Sequence, residues 1–211
     1  MTSGDTGESQ KVLVVFMFDG QLGQLFRNRC IVQKNVINNY GNGKPLGYAE
    51  EMLILDGFWR QNLVMGLIQF DSDAAASKWI QSDPQFRQMD WLDDHDVWLV
   101  PMKTDFSGSP STYQCIEFGL FKTSDPAAFE DQYLEKWKEA VTQAHAIPCI
   151  CSTSKVKIWR GLHDVDYITI TQWPNECIAD TWYKSEEAAQ IKALRSSIAS
   201  GSILAARMKY I

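Results

Sequence analysis

Two places in the sequence bring together side chains that could do chemistry. Glu117 stands inside "CIEFGLF", a run otherwise suited to the middle of a sheet. Burial there would raise its pKa and fit it for general acid or base work, although an ion pair would also account for the carboxylate. His163, with Asp164 and Asp166 in "RGLHDVDY", is the second place. An imidazole titrating near neutrality beside a carboxylate can shuttle a proton, and a solvated turn is the competing account. Glu117, His163 and Asp164 are therefore the candidate catalytic residues. Trp59, Arg60 and Asn62, with Arg160 further on, fall where strands should open onto a cavity mouth. Their chemistry suits anchoring an anionic or carbonyl ligand beside an aromatic plane. Gln69 and Gln172 stand at the same end of two corresponding strands, where an amide can orient a carbonyl or phenol, or simply bond a neighbouring backbone group. His145 closes a helix at "QAHAIP", a position that favours a cation for dipole reasons alone, and it completes the ligand-binding candidates. His95 in "DDHD" reads as part of a surface charge patch.

The elements that must position these groups recur. At an offset of 103 residues Gln69 falls on Gln172, Ala76 on Ala179, Trp79 on Trp182 and Ser82 on Ser185. These identities, one of them tryptophan, exceed the roughly one that composition would supply. The same offset sets Phe18 on Phe121 and Phe26 on Phe129, and one gap brings Gly57 onto Gly161. "VLVVFMF" (12–18) and "YQCIEFGLF" (113–121) read as covered strands, the first with Val14 where the second has Glu117. Residues 21–40 read as a helix. So does "TSDPAAFEDQYLEKWKEAVTQAHAIP", with Asp125 as N-cap, Pro126 in its first turn and Pro148 as its terminator. Strands follow at 48–55 and 63–70, matched by 151–159 and 166–173. Then comes a helix capped by Ser72 or Asn175, and a last strand at 96–102 or 202–210. Each half is β-α-β-β-α-β, the split unit of a ferredoxin-like fold. The expected organisation is a disordered tail at 1–10, a first unit at 11–102, a linker at 103–112 and a second unit at 113–211. A four-stranded sheet with both helices on one side leaves its other side apolar, so the two units are expected to pack sheet to sheet.

Composition limits the partners. The 211-residue chain carries a net charge of −6 with its 20 Lys and Arg scattered, which speaks against a nucleic-acid footprint. No stretch approaches the roughly 18 apolar residues of a membrane span. "MTSGDTGESQ" lacks the basic and apolar regions of a secretory signal, so a cytoplasmic protein is expected. Cys30, Cys115, Cys149, Cys151 and Cys177 form no CxxC pair, and the histidines lie far apart, which predicts neither a disulfide framework nor a metal site.

Gly57, Arg60, "LIQF", Asp71, Ser72, Ala76, Trp79, Ser82 and Phe86, with "NNYGNGKPLG" at 38–47 before them, resemble a known pattern. It is the glycine turn and the "A..W..S...Y" run of the domains of unknown function numbered 1330, within the dimeric α+β barrel superfamily. Phe86 replaces the usual Tyr, Asn42 replaces a glycine, and the second half has His163 or Arg160 at the basic position and no glycine turn. The resemblance implies an α+β fold: two tandem ferredoxin-like units forming an intrachain dimeric α+β barrel, with a cavity between the sheet and the two helices of a unit. It also implies a range of activities, among them cofactor-free monooxygenases, isomerases, cyclases, dehydratases and haem enzymes. No cofactor is expected here. Haem, held in some tandem relatives by a histidine of the second unit, finds neither His163 nor His145 well placed. The expected function is a cofactor-independent enzyme moving a proton on a small, mostly apolar, oxygen-bearing metabolite, with Glu117 or His163 as proton carrier. A non-catalytic small-ligand-binding or stress-response protein of the same fold is the alternative. The partner is then a small apolar or aromatic ligand, and the fused pair stays free to form a homodimer through exposed sheet edges.

Overall fold

The computed structural model describes residues 10–60, 62–83, 95–102, 109–151, 156–161 and 163–211, without the side chains of 150 and 151. The expected tail up to residue 9, the motif residue Phe86 and linker residues 103–108 lie outside the described residues.

Almost unbroken apolar runs make β1 (Val12–Asp19), β3 (Leu63–Phe70), β5 (Cys115–Thr123) and β8 (Tyr167–Trp173), which are buried along nearly their whole length. They are the inner strands of two groups. The first half has β2 (Lys44–Asp56), β3, β1 and β4 (Asp96–Pro101) side by side. The second has β6 (Ile147–Cys151), β8, β5 and β9 (Ala199–Tyr210) in the same order. Two seams join the groups. Residues 44–49 of β2 pair with β3, and residues 47–56 pair with β9. In the second half β7 (Lys157–Arg160) leaves its own group and pairs with β4. A strand from each half thus crosses to the last strand of the other, and the described strands form one antiparallel sheet in the order β6-β8-β5-β9-β2-β3-β1-β4-β7. Its two end strands, β6 and β7, are separated by only a few residues of chain, so the sheet curls into a barrel.

The inside of the barrel is a single core drawn from both halves, with Leu67, Met65 and Trp98 packed among Phe118, Ile170 and Leu204. Helices cover the outside. In the first half α1 (Gly23–Val32), α2 (Lys34–Asn38) and α3 (Asp73–Ser82) enclose Phe16, Phe18 and Phe70. In the second half α4 (126–143), α5 (Glu176–Tyr183) and α6 (Glu186–Ser196) lie over Cys115, Phe121 and Trp173. The repeated residues do repeated work: Ser72 Oγ accepts from the Ala75 N–H at 3.1 Å and Asn175 Oδ1 from the Ile178 N–H at 3.0 Å, while Ala76, Trp79, Ala179 and Trp182 are buried.

Three elements differ from expectation. Residues 151–159 do not form one strand, because β6 and β7 belong to opposite edges of the sheet. Pro148 does not end α4, which stops at Gln143 with His145 in the left-handed region (φ 64°); Pro148 sits in β6, an edge strand where a missing N–H is tolerated. The serines at equivalent positions part company, since Ser82 is the last residue of α3 whereas Ser185 N-caps α6, a helix not anticipated from the sequence. Among the described residues no helix is long and apolar enough to cross a membrane.

Candidate functional site

The crossing strands bring together the loops that follow them. Gly57 (φ 79°) follows β2 and packs against Ser202 of β9, and Gly161 (φ 118°) follows β7 and packs against Asp96 of β4. A Cβ on Gly161 would come within 1.8 Å of the Asp96 carboxylate, so only glycine lets the chain pass this close. In the first loop the Phe58 N–H donates to Ser202 Oγ at 3.1 Å, and that hydroxyl donates back to the Phe58 carbonyl at 2.6 Å. In the second loop Asp96 plays the part of Ser202. The His163 backbone N–H donates to Asp96 Oδ1 at 3.0 Å, and the ring Nδ1 lies 2.5 Å from Oδ2. The Asp96 side chain is 3% exposed and that of His163 51%. In the neutral ring, a carboxylate on Nδ1 favours the tautomer with its proton there, the one in which Nε2 can accept. The Trp59 ring lies tilted against the imidazole, with centroids 5.8 Å apart and planes 33° apart, so the two loops meet at these side chains.

Space opens beside them. A cavity of about 240 Å³ is lined by Trp59, Arg60, Lys122, His163, Asp164 and Ser202, among others. Trp59 and Arg60 also border a cavity of about 710 Å³, together with Asp19, Glu50, Met52 and Asn62. Trp59 is buried, and its indole N–H has no hydrogen-bond partner among the described residues. A buried donor left unmet costs roughly 1–3 kcal/mol, so a ligand oxygen at this point would be favoured.

The fold therefore gathers Trp59, Arg60, His163 and Asp164 at one cavity and places Asn62 at its neighbour. Asp164 does not orient His163; its carboxylate accepts from Lys122 Nζ at 2.6 Å near the surface. Asp96 holds the ring instead, and nothing in the chain near His163 points to it. Asp166 accepts from the Thr123 N–H at 3.1 Å, tying β5 to the start of β8. Arg160 is exposed on β7 opposite Val97, and His145 is exposed beyond α4; neither lines these cavities. Gln69 is half-buried near the end of β3. Gln172 is fully buried, accepts from Cys149 Sγ at 3.0 Å and donates to the Tyr210 hydroxyl at 3.3 Å, a structural clasp at one end of the barrel. His95 is half-buried, and its Nε2 accepts from the Asp19 N–H at 3.1 Å.

Glu117 lies elsewhere, in the helix-covered layer of the second half. It is 1% exposed; Trp173 Nε1 donates to Oε2 at 2.6 Å and the Tyr183 hydroxyl donates to Oε1 at 2.8 Å. Burial pushes its carboxyl up to about 7 against the opposing pull of those two donors. Burial and the nearby Glu117 charge push the Tyr183 phenol well above its ordinary value. Tyr183 borders a cavity of about 40 Å³ with Tyr133, Trp137, Trp182 and Arg195. The expected cavity between sheet and helices is thus nearly filled in this half, because Phe121, Phe129, Tyr133, Trp137 and Trp173 occupy the layer. The roomier spaces lie at the loops instead.

No family profile and no curated protein matches the chain. Solved structures do. An anthrone oxidase-like protein superposes with a TM-score of 0.59 at 11% identity, over 97% of this chain and 92% of that one. A candidate monooxygenase from Fusobacterium nucleatum gives 0.56 at 8% identity, over 96% and 93%. A haem-binding protein from Thermus thermophilus gives 0.52 at 7% identity, over 95% and 91%. The fold they share with this chain is α+β, an antiparallel sheet curled into a barrel with helices outside. At these identities the likeness carries the fold alone.

The residues of this barrel do not fit haem. The helix-covered layer of the second half offers about 40 Å³, far below the roughly 300 Å³ of a small-molecule pocket, and no histidine lines it. His163 borders a larger space, lined by Phe58, Trp59, Leu120 and Val165 as well as by Lys122, Asp164 and Ser202, but its volume of about 240 Å³ is still below the roughly 300 Å³ of a small-molecule pocket. Among the described residues no cluster of three or more His, Cys, Asp or Glu could hold a metal ion.

Proposed function

We propose that the protein is a cofactor-independent enzyme that takes a proton from a small, mostly apolar, oxygen-bearing molecule at the mouth of the barrel, with His163 as general base. One observation carries the reading: the buried Asp96 grips both the backbone N–H and the Nδ1 of His163, leaving Nε2 as the accepting nitrogen at a cavity shared with Trp59 and Arg60. The substrate oxygen accepts from the unpartnered Trp59 N–H. Its C–H or O–H proton passes to Nε2, and the bonding electrons remain on the substrate as an enolate or phenolate. The Arg60 guanidinium stabilises that oxyanion, and the Asp96 carboxylate stabilises the imidazolium. Proton abstraction of this kind opens isomerisation, cyclisation, dehydration and monooxygenation alike. The names of the similar structures, anthrone oxidase-like and monooxygenase, favour the last.

Anthrone and 2-tetralone are suitable probes, because both are apolar ketones with an acidified C–H. Deuterium uptake at carbon, followed by NMR without oxygen, reads the proton transfer itself; an oxygen electrode reads any later step. His163→Ala is expected to lower the exchange rate by about 10²–10⁴-fold, the usual contribution of a positioned base. Asp96→Asn should lower it by less and leave ligand binding intact. Exchange that the native protein does not accelerate, or that survives in His163→Ala, would leave a non-catalytic ligand-binding protein.

A further inference from the structure

A second ligand site lies under α6, apart from the barrel mouth. Arg195 is 5% exposed, and charged side chains are almost never so buried unless paired. Its pairing is incomplete. Nη2 donates to Asp56 Oδ2, but Nε and Nη1 are buried without a hydrogen-bond partner among the described residues. The other oxygen of Asp56 is ion-paired with Lys192. Burial alone would raise the Asp56 carboxyl, yet hydrogen bonds from Lys192 and Arg195 hold it below its ordinary value, so it is an anion. Two cations therefore share one carboxylate at the edge of a cavity. The rest of its wall is apolar or aromatic: Leu55, Ile191 and Ile203 with the rings of Trp137, Trp182 and Tyr183 among others. The hydrogen bonds of Glu117 go to Trp173 and Tyr183 rather than to the open nitrogens of Arg195.

We infer that this cavity binds a small carboxylate, whose charge balances the Arg195–Lys192–Asp56 cluster and whose oxygens accept from the unpartnered nitrogens of Arg195. Size selects the ligand. The cavity holds about 40 Å³, more than a single water needs and far below the roughly 300 Å³ of a drug-sized pocket, so the ligand is small. Formate, the smallest carboxylate, is the probe of choice. Guanidinium donors facing a carboxylate give the strong, charge-assisted geometry that a halide lacks.

[¹³C]Formate, titrated into the full-length protein with sodium chloride as the ionic-strength control, tests this. Formate line broadening should saturate, and tryptophan fluorescence should change with the same midpoint because Trp137 and Trp182 border the cavity. Chloride should produce neither effect. Arg195→Gln is expected to weaken binding by at least about tenfold. Should that variant fail to fold by circular dichroism, Arg195→Lys, which keeps the charge but loses the extra donors, should still weaken it several-fold. His163→Ala should bind formate normally, which separates this site from the proposed base. A response that does not saturate, that chloride reproduces, or that persists in both Arg195 variants overturns the assignment. So does the absence of any response, which would mean that water alone fills the space.

Discussion

Glu117 and Val14 hold equivalent places in the two halves, and the carboxylate costs the fold something the valine does not. Two good donors meet it, but burial outweighs them and its pKa stands at about 7 against an ordinary 4.5. The folded state therefore holds the Glu117 proton more tightly than the unfolded chain. The resulting stabilisation is fully present below pH 4.5 and is lost as pH rises through 7, with a size on the order of 3 kcal/mol. Glu117→Gln removes the titration while keeping both contacts, because the amide oxygen can accept from Trp173 and the amide nitrogen can donate to the Tyr183 oxygen. Relative to the native protein, the variant should gain stability from pH 5 to about pH 7 and level off above that, as read by urea unfolding at each pH. Parallel curves for the two proteins would mean that Glu117 is not held as a buried acid.

The elements show what the sequence could and could not disclose. β3 lies where the apolar run at 63–70 places it, and the caps at Ser72 and Asn175 follow from their residue types. The split of 151–159 into two strands did not, since a repeat teaches what each half does alone and β7 pairs with the other half. The Asp96–His163 contact depends on that pairing and spans a sequence separation of 67, so no local pattern could reveal it. Arg195 escaped for a different reason. Its helix, "EEAAQIKALRS", buries only Ala188 and Arg195 and so lacks an apolar stripe. The signal it did carry is its start, Ser185 followed by Glu186 and Glu187. Ser185 Oγ accepts from the Ala188 N–H at 3.2 Å. Ser185→Ala should cost about 1 kcal/mol. Ser82→Ala, at the matching repeat position but exposed at the end of α3, should change stability by no more than about 0.5 kcal/mol. Thermal unfolding of the two variants side by side checks the contrast; equal losses would mean that the cap is not what holds α6.

At the scale of the whole molecule, the two halves share what each would need to stand alone. Leu67 of β3 packs in the same core cluster as Phe118 and Ile170 of the second half, and both seams, β2 with β9 and β4 with β7, are hydrogen-bonded. Two independent domains would each keep a private core, and damage to one would leave the other's stability unchanged. Here Leu67→Ala should cost about 2–5 kcal/mol and lower the stability of the entire barrel. Native-state hydrogen exchange locates the effect. Amides of β5 and β8 should lose as much protection as those of β1 and β3, because the strands open together. Loss of protection confined to β1 and β3 would mean that the seams are weak and that the duplication remained two domains. Uniform loss would mean that the Asp96–His163 pair, with one residue from each half, rests on the stability of the whole closed barrel.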